Sequence, residues 1–250
     1  MKPAQIERAR KKGRFIVEVR YGPLLHVFDR RGQLMASLQA AFPEKLVEWQ
    51  VSGAEVAMRE AVREWRWSVV VNHMRSALVI EDDVKCPEFE AVACRFVNVV
   101  QGVFREEFAS ASRVGMRSIS VFQKKGASDF DELSRDVQRR FLVGYDLLGV
   151  EVKDCRVVLT HENGRAEVGP VKQEEDWVKK TFDRPQKNVP RLGYGVDIDT
   201  YVRDVELGDE KKTKNVVGAV WAARGEVEAQ VVNRLFDELE RSVGRVGPAP

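Results

Sequence analysis

The sequence is poor in the residue types and motifs that most often mark chemistry. It has only three cysteines, Cys86, Cys94 and Cys155, and none stand at C-x-x-C spacing. An odd, dispersed set argues against a disulfide framework and a thiolate zinc site, and fits a reducing compartment. His26, His73 and His161 fall in separate segments, with no H-E-x-x-H and no pair at metal-ligand spacing. There is no P-loop, no G-x-G-x-x-G and no G-x-S-x-G, which removes the commonest phosphate, dinucleotide and serine-hydrolase readings. Gly193-Tyr194-Gly195 is too short to cradle a phosphate. No stretch approaches the roughly 18 apolar residues of a membrane span, and a polar segment follows Met1. A cytoplasmic protein with no membrane contact, no metal and no cofactor is therefore expected.

With 44% hydrophobic and 32% charged side chains, the chain has the composition of a globular protein and the length for one large core or two small ones. The formal charge of +2 is unevenly spread. Lys2, Arg8, Arg10, Lys11, Lys12 and Arg14 face Glu7 alone among the first fourteen residues, so the remainder is slightly acidic. A basic tail on such a body is a weaker nucleic-acid signal than a basic domain.

Phe15, Val17, Val19 and Tyr21 alternate with Ile16, Glu18 and Arg20, the period of a half-buried strand. Leu34, Leu38 and Ala41 predict a short helix closed by Pro43. Strand-like runs follow at 46–51, 54–62, 64–72 and 76–81. From Pro87, apolar residues including Phe89, Ala93, Phe96, Val100 and Phe104 recur at three- and four-residue spacings, predicting a long helix over 87–108. The order then begins again. A strand at 114–122 leads to a helix with Leu133, Val137 and Phe141 on one face, which a capping box from Ser128 to Asp131 would open. Strands are predicted at 150–160, 165–171, 176–182 and 192–205, with Asn163-Gly164 as a hairpin turn, and a final helix carries Val217, Val220 and Leu235.

These elements predict an α+β fold of two tandem β-α-β4-α units, residues 14–110 and 111–243, with curved antiparallel sheets packed on long helices. Residues 1–13 and 244–250 read as flexible tails. The element order resembles the TATA-box-binding-protein-like and helix-grip folds, a likeness of topology that implies no activity. Four segments also resemble a sporadically distributed, uncharacterised bacterial protein family: Ile16-Val-Glu-Val-Arg-Tyr-Gly-Pro-Leu24, Arg113-Val-Gly-Met-Arg117, Val196-Asp-Ile-Asp-Thr-Tyr201 and Asn233-Arg-Leu-Phe236. In that family the second segment runs on into an aromatic-Asn-Arg sequence, whereas here it continues Ser118-Ile-Ser-Val121. The resemblance implies a bacterial source and no reaction.

Two constellations admit chemistry. Asp197 and Asp199 flank Ile198, so a strand puts both carboxylates on one face, where they would hold a divalent cation if further ligands converged, or form ion pairs with Arg191 or Arg203. Cys86 precedes Pro87 at a helix start beside Lys85, a setting that stabilises a thiolate, but no orienting base has a recognisable spacing to it, and a structural cysteine is preferred. Trp65 and Trp67 share a strand face with Val69 and Val71 and read as core. The helix-free face is predicted to carry Glu18, Arg20, Glu48, Arg66, Asp197 and Asp199, a mixture of signs that suits a protein partner better than a nucleic acid. The preferred expectation is a non-catalytic interaction or adaptor protein using Arg20, Glu48, Arg66, Asp197 and Asp199. One alternative is a nucleic-acid accessory protein using a tail of Arg8, Arg10, Lys11, Lys12 and Arg14. The other is a hydrolase or ligand-binding protein with a cavity between sheet and helix.

Overall fold

The computed structural model describes residues 5–53, 55–60, 66–82, 88–105, 107–142, 155–182 and 189–241. The order is β1 (Gln5–Arg20), α1 (Arg31–Ala41), β2 (Glu48–Val51), β3 (Glu55–Arg59), β4 (Trp67–Asn72), β5 (Arg75–Asp82) and α2 (Phe89–Val103). Then come β6 (Ser110–Lys125), α3 (Phe130–Phe141), β7 (Val157–His161), β8 (Gly164–Lys172), α4 (Asp176–Thr181), β9 (Leu192–Glu206), α5 (Glu210–Gln230), a π-helical turn (Val231–Leu235) and α6 (Phe236–Arg241). The nine strands of the described residues join one antiparallel sheet in the order β2-β3-β4-β5-β1-β6-β9-β8-β7. The mixed helix-and-strand class expected from the sequence is observed, with a single sheet.

Strand alternation sorts the side chains onto two faces. Phe15, Val17 and Val19 of β1, Tyr21 just beyond it, Val69 and Val71 of β4, and Val114 and Met116 of β6 pack with Phe89, Phe96 and Val100 of α2. Phe15, Phe89 and Trp221 form a ring cluster with centroids 5.4 to 6.3 Å apart, tying α2 and α5 to β1. Tyr194, Val196 and Ile198 of β9 continue this face into a second cluster with α3, α6 and the π-helical turn. Beneath α5, the buried Arg224 donates to Ser118 Oγ and to Glu228, a carboxylate it shares with Arg10.

Several local expectations are corrected. The stretch 176–182 forms α4, not a strand: only Val178 is buried in it, Asp176 opens it and Lys179 and Lys180 close it, a charge order that suits the helix dipole. α4 packs on the opposite face of the sheet, where Val178 and Phe182 meet Ile119, Val121, Val171 and Val189. α3 is capped one residue later than expected, by Asp129, which accepts from the Glu132 N–H while the Glu132 carboxylate reaches back to Ser128. The β7–β8 turn also shifts by one: Glu162 and Asn163 fill it, and His161 pairs with Gly164. A Cβ on Gly164 would lie 2.0 Å from the Asp199 carbonyl oxygen, so a bare backbone is what lets β8 meet β9 there.

The largest correction concerns the N-terminal region. Residues 5–13 are not a tail but the first half of β1, paired with β6. Most of their basic side chains meet partners distant in sequence. Arg8 pairs with Asp237 and Glu240, Arg10 with Glu228, and the buried Lys12 with the buried Glu81 at 2.7 Å. Lys11 pairs with Glu7, and Arg14 donates to the Thr181 carbonyl. Predicted residues 1–4 and 244–250 lie outside the described residues, as do Trp65 and Cys86.

Candidate binding face of the central strands

Three of the four family-like segments lie on β1, β6 and β9, which are adjacent in the middle of the sheet. Val17, Val19, Val114, Met116, Val196 and Ile198 point into the core, so the intervening residues share the opposite face. On that face stand Ile16, Glu18 and Arg20 of β1, Arg113, Gly115 and Arg117 of β6, and Asp197, Asp199 and Tyr201 of β9. α4 and Phe182 cover its Ile119–Val121 end.

Arg113 links all three strands. Its Nη2 lies 2.8 Å from both carboxylate oxygens of Asp199, its Nη1 lies 3.3 Å from Glu18, and its guanidinium stacks 4.6 Å from the Tyr201 ring centroid. Gly115 makes this possible: a Cβ there would stand 3.3 Å from the Arg113 guanidinium, which lies over that spot. Arg117 grips Asp197 through Nε at 2.8 Å and Nη2 at 2.5 Å, and this hydrogen bonding raises its guanidinium above the ordinary arginine value. Glu18 also accepts from Arg20 at 2.7 Å and Arg75 at 3.4 Å.

The two aspartates share one face as expected, but Arg117 and Arg113 engage them rather than Arg191 or Arg203. Those guanidinium groups occupy the lone pairs a cation would need. Among the described residues no three His, Cys, Asp or Glu side chains gather as a metal site. Asp197→Asn is expected to leave divalent-cation binding unchanged and to cost about 1 kcal/mol, because Arg117 keeps its solvent access. Calorimetry with Mg²⁺ and a denaturant titration check both parts.

Of the predicted face, the structure places Glu18, Arg20, Asp197 and Asp199 on one face of the central strands, with Arg20 level with Arg203 and Asp197 farther along, opposite Ile119. Glu48 sits on the edge strand β2 and the exposed Arg66 just before β4, both away from the centre. From the sequence Arg113, Arg117 and Tyr201 appear only within the family-like segments, with no role on this face, and Arg75 not at all. Their signal was alternation within β6 and β9; what joins them is the pairing of β1 with β6 and β6 with β9, which no local pattern encodes.

Two grooves among the described residues lie elsewhere. One of about 1040 Å³ runs between α2 and the start of α5, lined by Glu90, Cys94, Asn98, Arg105, Asp209 and Lys214. Burial, aided by Glu90, pushes the Cys94 thiol above its ordinary value, against the reactive thiolate a nucleophile needs. A second of about 350 Å³ lies between β7 and the π-helical turn. Neither includes Asp197. No family model matches the chain and no curated protein matches it. Among the described residues no helix is long and apolar enough to cross a membrane.

Proposed function

We propose that the protein is a non-catalytic interaction or adaptor protein, acting in the cytoplasm, whose contact surface is the part of the sheet that α4 leaves uncovered. The observation that carries this reading is the convergence of three separate segments on one network of arginines and carboxylates at the centre of the sheet. Every carboxylate in it already holds an arginine, an arrangement suited to presenting fixed hydrogen-bonding groups and poorly suited to proton transfer. A single broad sheet displaying such groups is a rigid platform for a protein partner.

The same reading treats the chain as two tandem α+β units, 14–110 and 111–243, the second of which has helix α4 where a further strand was expected. What supports this is the sheet order, in which β1 and β6 are neighbours and the later strands of each half extend outward from them. The nucleic-acid alternative relied on a free basic tail, and the pairing of Arg8, Arg10, Lys12 and Arg14 within the fold removes its main support.

Ala77 offers a test, because it lies on the uncovered face, opposite Glu18 in the β1–β5 register. Ala77→Trp adds bulk there without touching the core. Pull-downs from the native host are expected to lose the bound partner with this variant while its unfolding midpoint stays near wild type. Retention of every partner would contradict the proposal.

A further inference from the structure

The pairing register places four arginines in one row across the sheet. Arg75 of β5 stands opposite Arg20 of β1, Arg20 opposite Arg113 of β6, and Arg113 opposite Arg203 of β9. At the usual strand spacing of about 4.8 Å the row spans about 14 Å. Like charges directly opposite one another destabilise a sheet, so the row is a cost the fold carries. Among the described residues two carboxylates answer it: Glu18, shared by Arg20, Arg75 and Arg113, and Asp199, held by Arg113. The Arg20 and Arg75 side chains remain about half exposed, at 51% and 50%. Arg203 is exposed and its one described contact is the Tyr201 ring, 5.1 Å away.

We infer that this row is the docking site for an acidic, extended segment of a partner protein, which lies across the strands and pairs its carboxylates with Arg75, Arg20 and Arg203. The inference rests on the proposed use of the uncovered face and names the partner's chemistry. Charge complementarity carries it. The row has four guanidinium groups on two carboxylates and no lysine, and guanidinium forks match carboxylates bidentately. A single-stranded nucleic acid would also bring anions, but its binding sites add aromatic faces on which bases stack. Tyr201, the aromatic ring beside the row, already carries Arg113 and Arg203 over it. Glu18 and Asp199 beneath the row would further repel a continuous phosphate backbone.

The test uses the full chain with two probes of equal charge: a fluorescein-labelled twelve-residue peptide of alternating Glu and Ser, and oligo(dT). Binding is measured near 0.15 M salt for the wild type, for the triple variant Arg20→Gln, Arg75→Gln, Arg203→Gln, and for a control triple Lys179→Gln, Lys180→Gln, Lys211→Gln. All three control lysines are exposed and lie off the row. The inference expects peptide binding that falls at least tenfold in the arginine triple and less than twofold in the control, with oligo(dT) weaker than the peptide throughout. An unfolding midpoint for the arginine triple at or above wild type shows that loss of binding is not loss of fold, since the substitutions relieve like-charge contacts. Absence of peptide binding, equal losses in both triples, or tighter binding of oligo(dT) would each overturn the inference. If the peptide fails while Ala77→Trp still releases the native partner, the acidic segment is refuted and the use of the face stands.

Discussion

Lys12→Ala is expected to destabilise the protein by about 3 to 5 kcal/mol, the range for removing one partner of a buried ion pair. The Lys12 and Glu81 side chains are 3% and 4% exposed and meet at 2.7 Å. Removing Lys12 takes a close ion-pair contact away from a carboxylate that stays buried. The Lys12 ammonium also lies 5.9 Å from the Phe182 ring centroid, so its loss opens the contact between β1 and the end of α4. A lysine in a flexible basic tail would give a change near zero. Denaturant titration therefore decides whether residues 5–13 belong to the fold. The Lys12→Met variant, which restores volume without charge, is expected to remain well below wild type because Glu81 stays buried.

Phe96→Ala is expected to cost about 3 to 5 kcal/mol, the cost of emptying a large side chain's site in a closed core. Phe96 is fully buried on the inner face of α2, within the cluster that also contains Phe89, Val97 and Val100. The cluster joins α1, α2 and α5 to β1, β3, β4, β5 and β6, so collapse around the cavity would require several elements to move at once. Phe96→Leu, which keeps most of the volume, is expected to cost markedly less. Chemical denaturation of both variants, with unchanged slopes, checks the pair of values.

How much of this was readable from residues alone follows from the range of the interactions involved. α2 was legible because Phe89, Ala93, Phe96 and Val100 repeat at helical spacing and each is buried. The 15–20 portion of β1 was legible by alternation. Residues 5–13 were not: their charges resemble a solvated tail until Asp237, Glu240, Glu228 and Glu81 come into reach, three of them more than 200 residues away in sequence. α4 was misread because six residues are too few for periodicity to separate helix from strand. Arg20, Asp197 and Asp199 were assigned to one helix-free face by strand alternation. Arg113 remained hidden because its role as their link depends on the register of β6 with both neighbours, and the four-arginine row exists only in that register.

The claim that the uncovered sheet face is the contact surface is tested most directly by photo-crosslinking in the native host. A photoreactive amino acid is placed at Ala77 on the face or at the exposed Ala219 on α5, and crosslinked species are compared. The account predicts a discrete crosslinked protein from position 77, lost when Arg20, Arg75 and Arg203 are changed to glutamine, and none of that species from position 219. Crosslinks from 219 alone, or the same species from both positions, would contradict it.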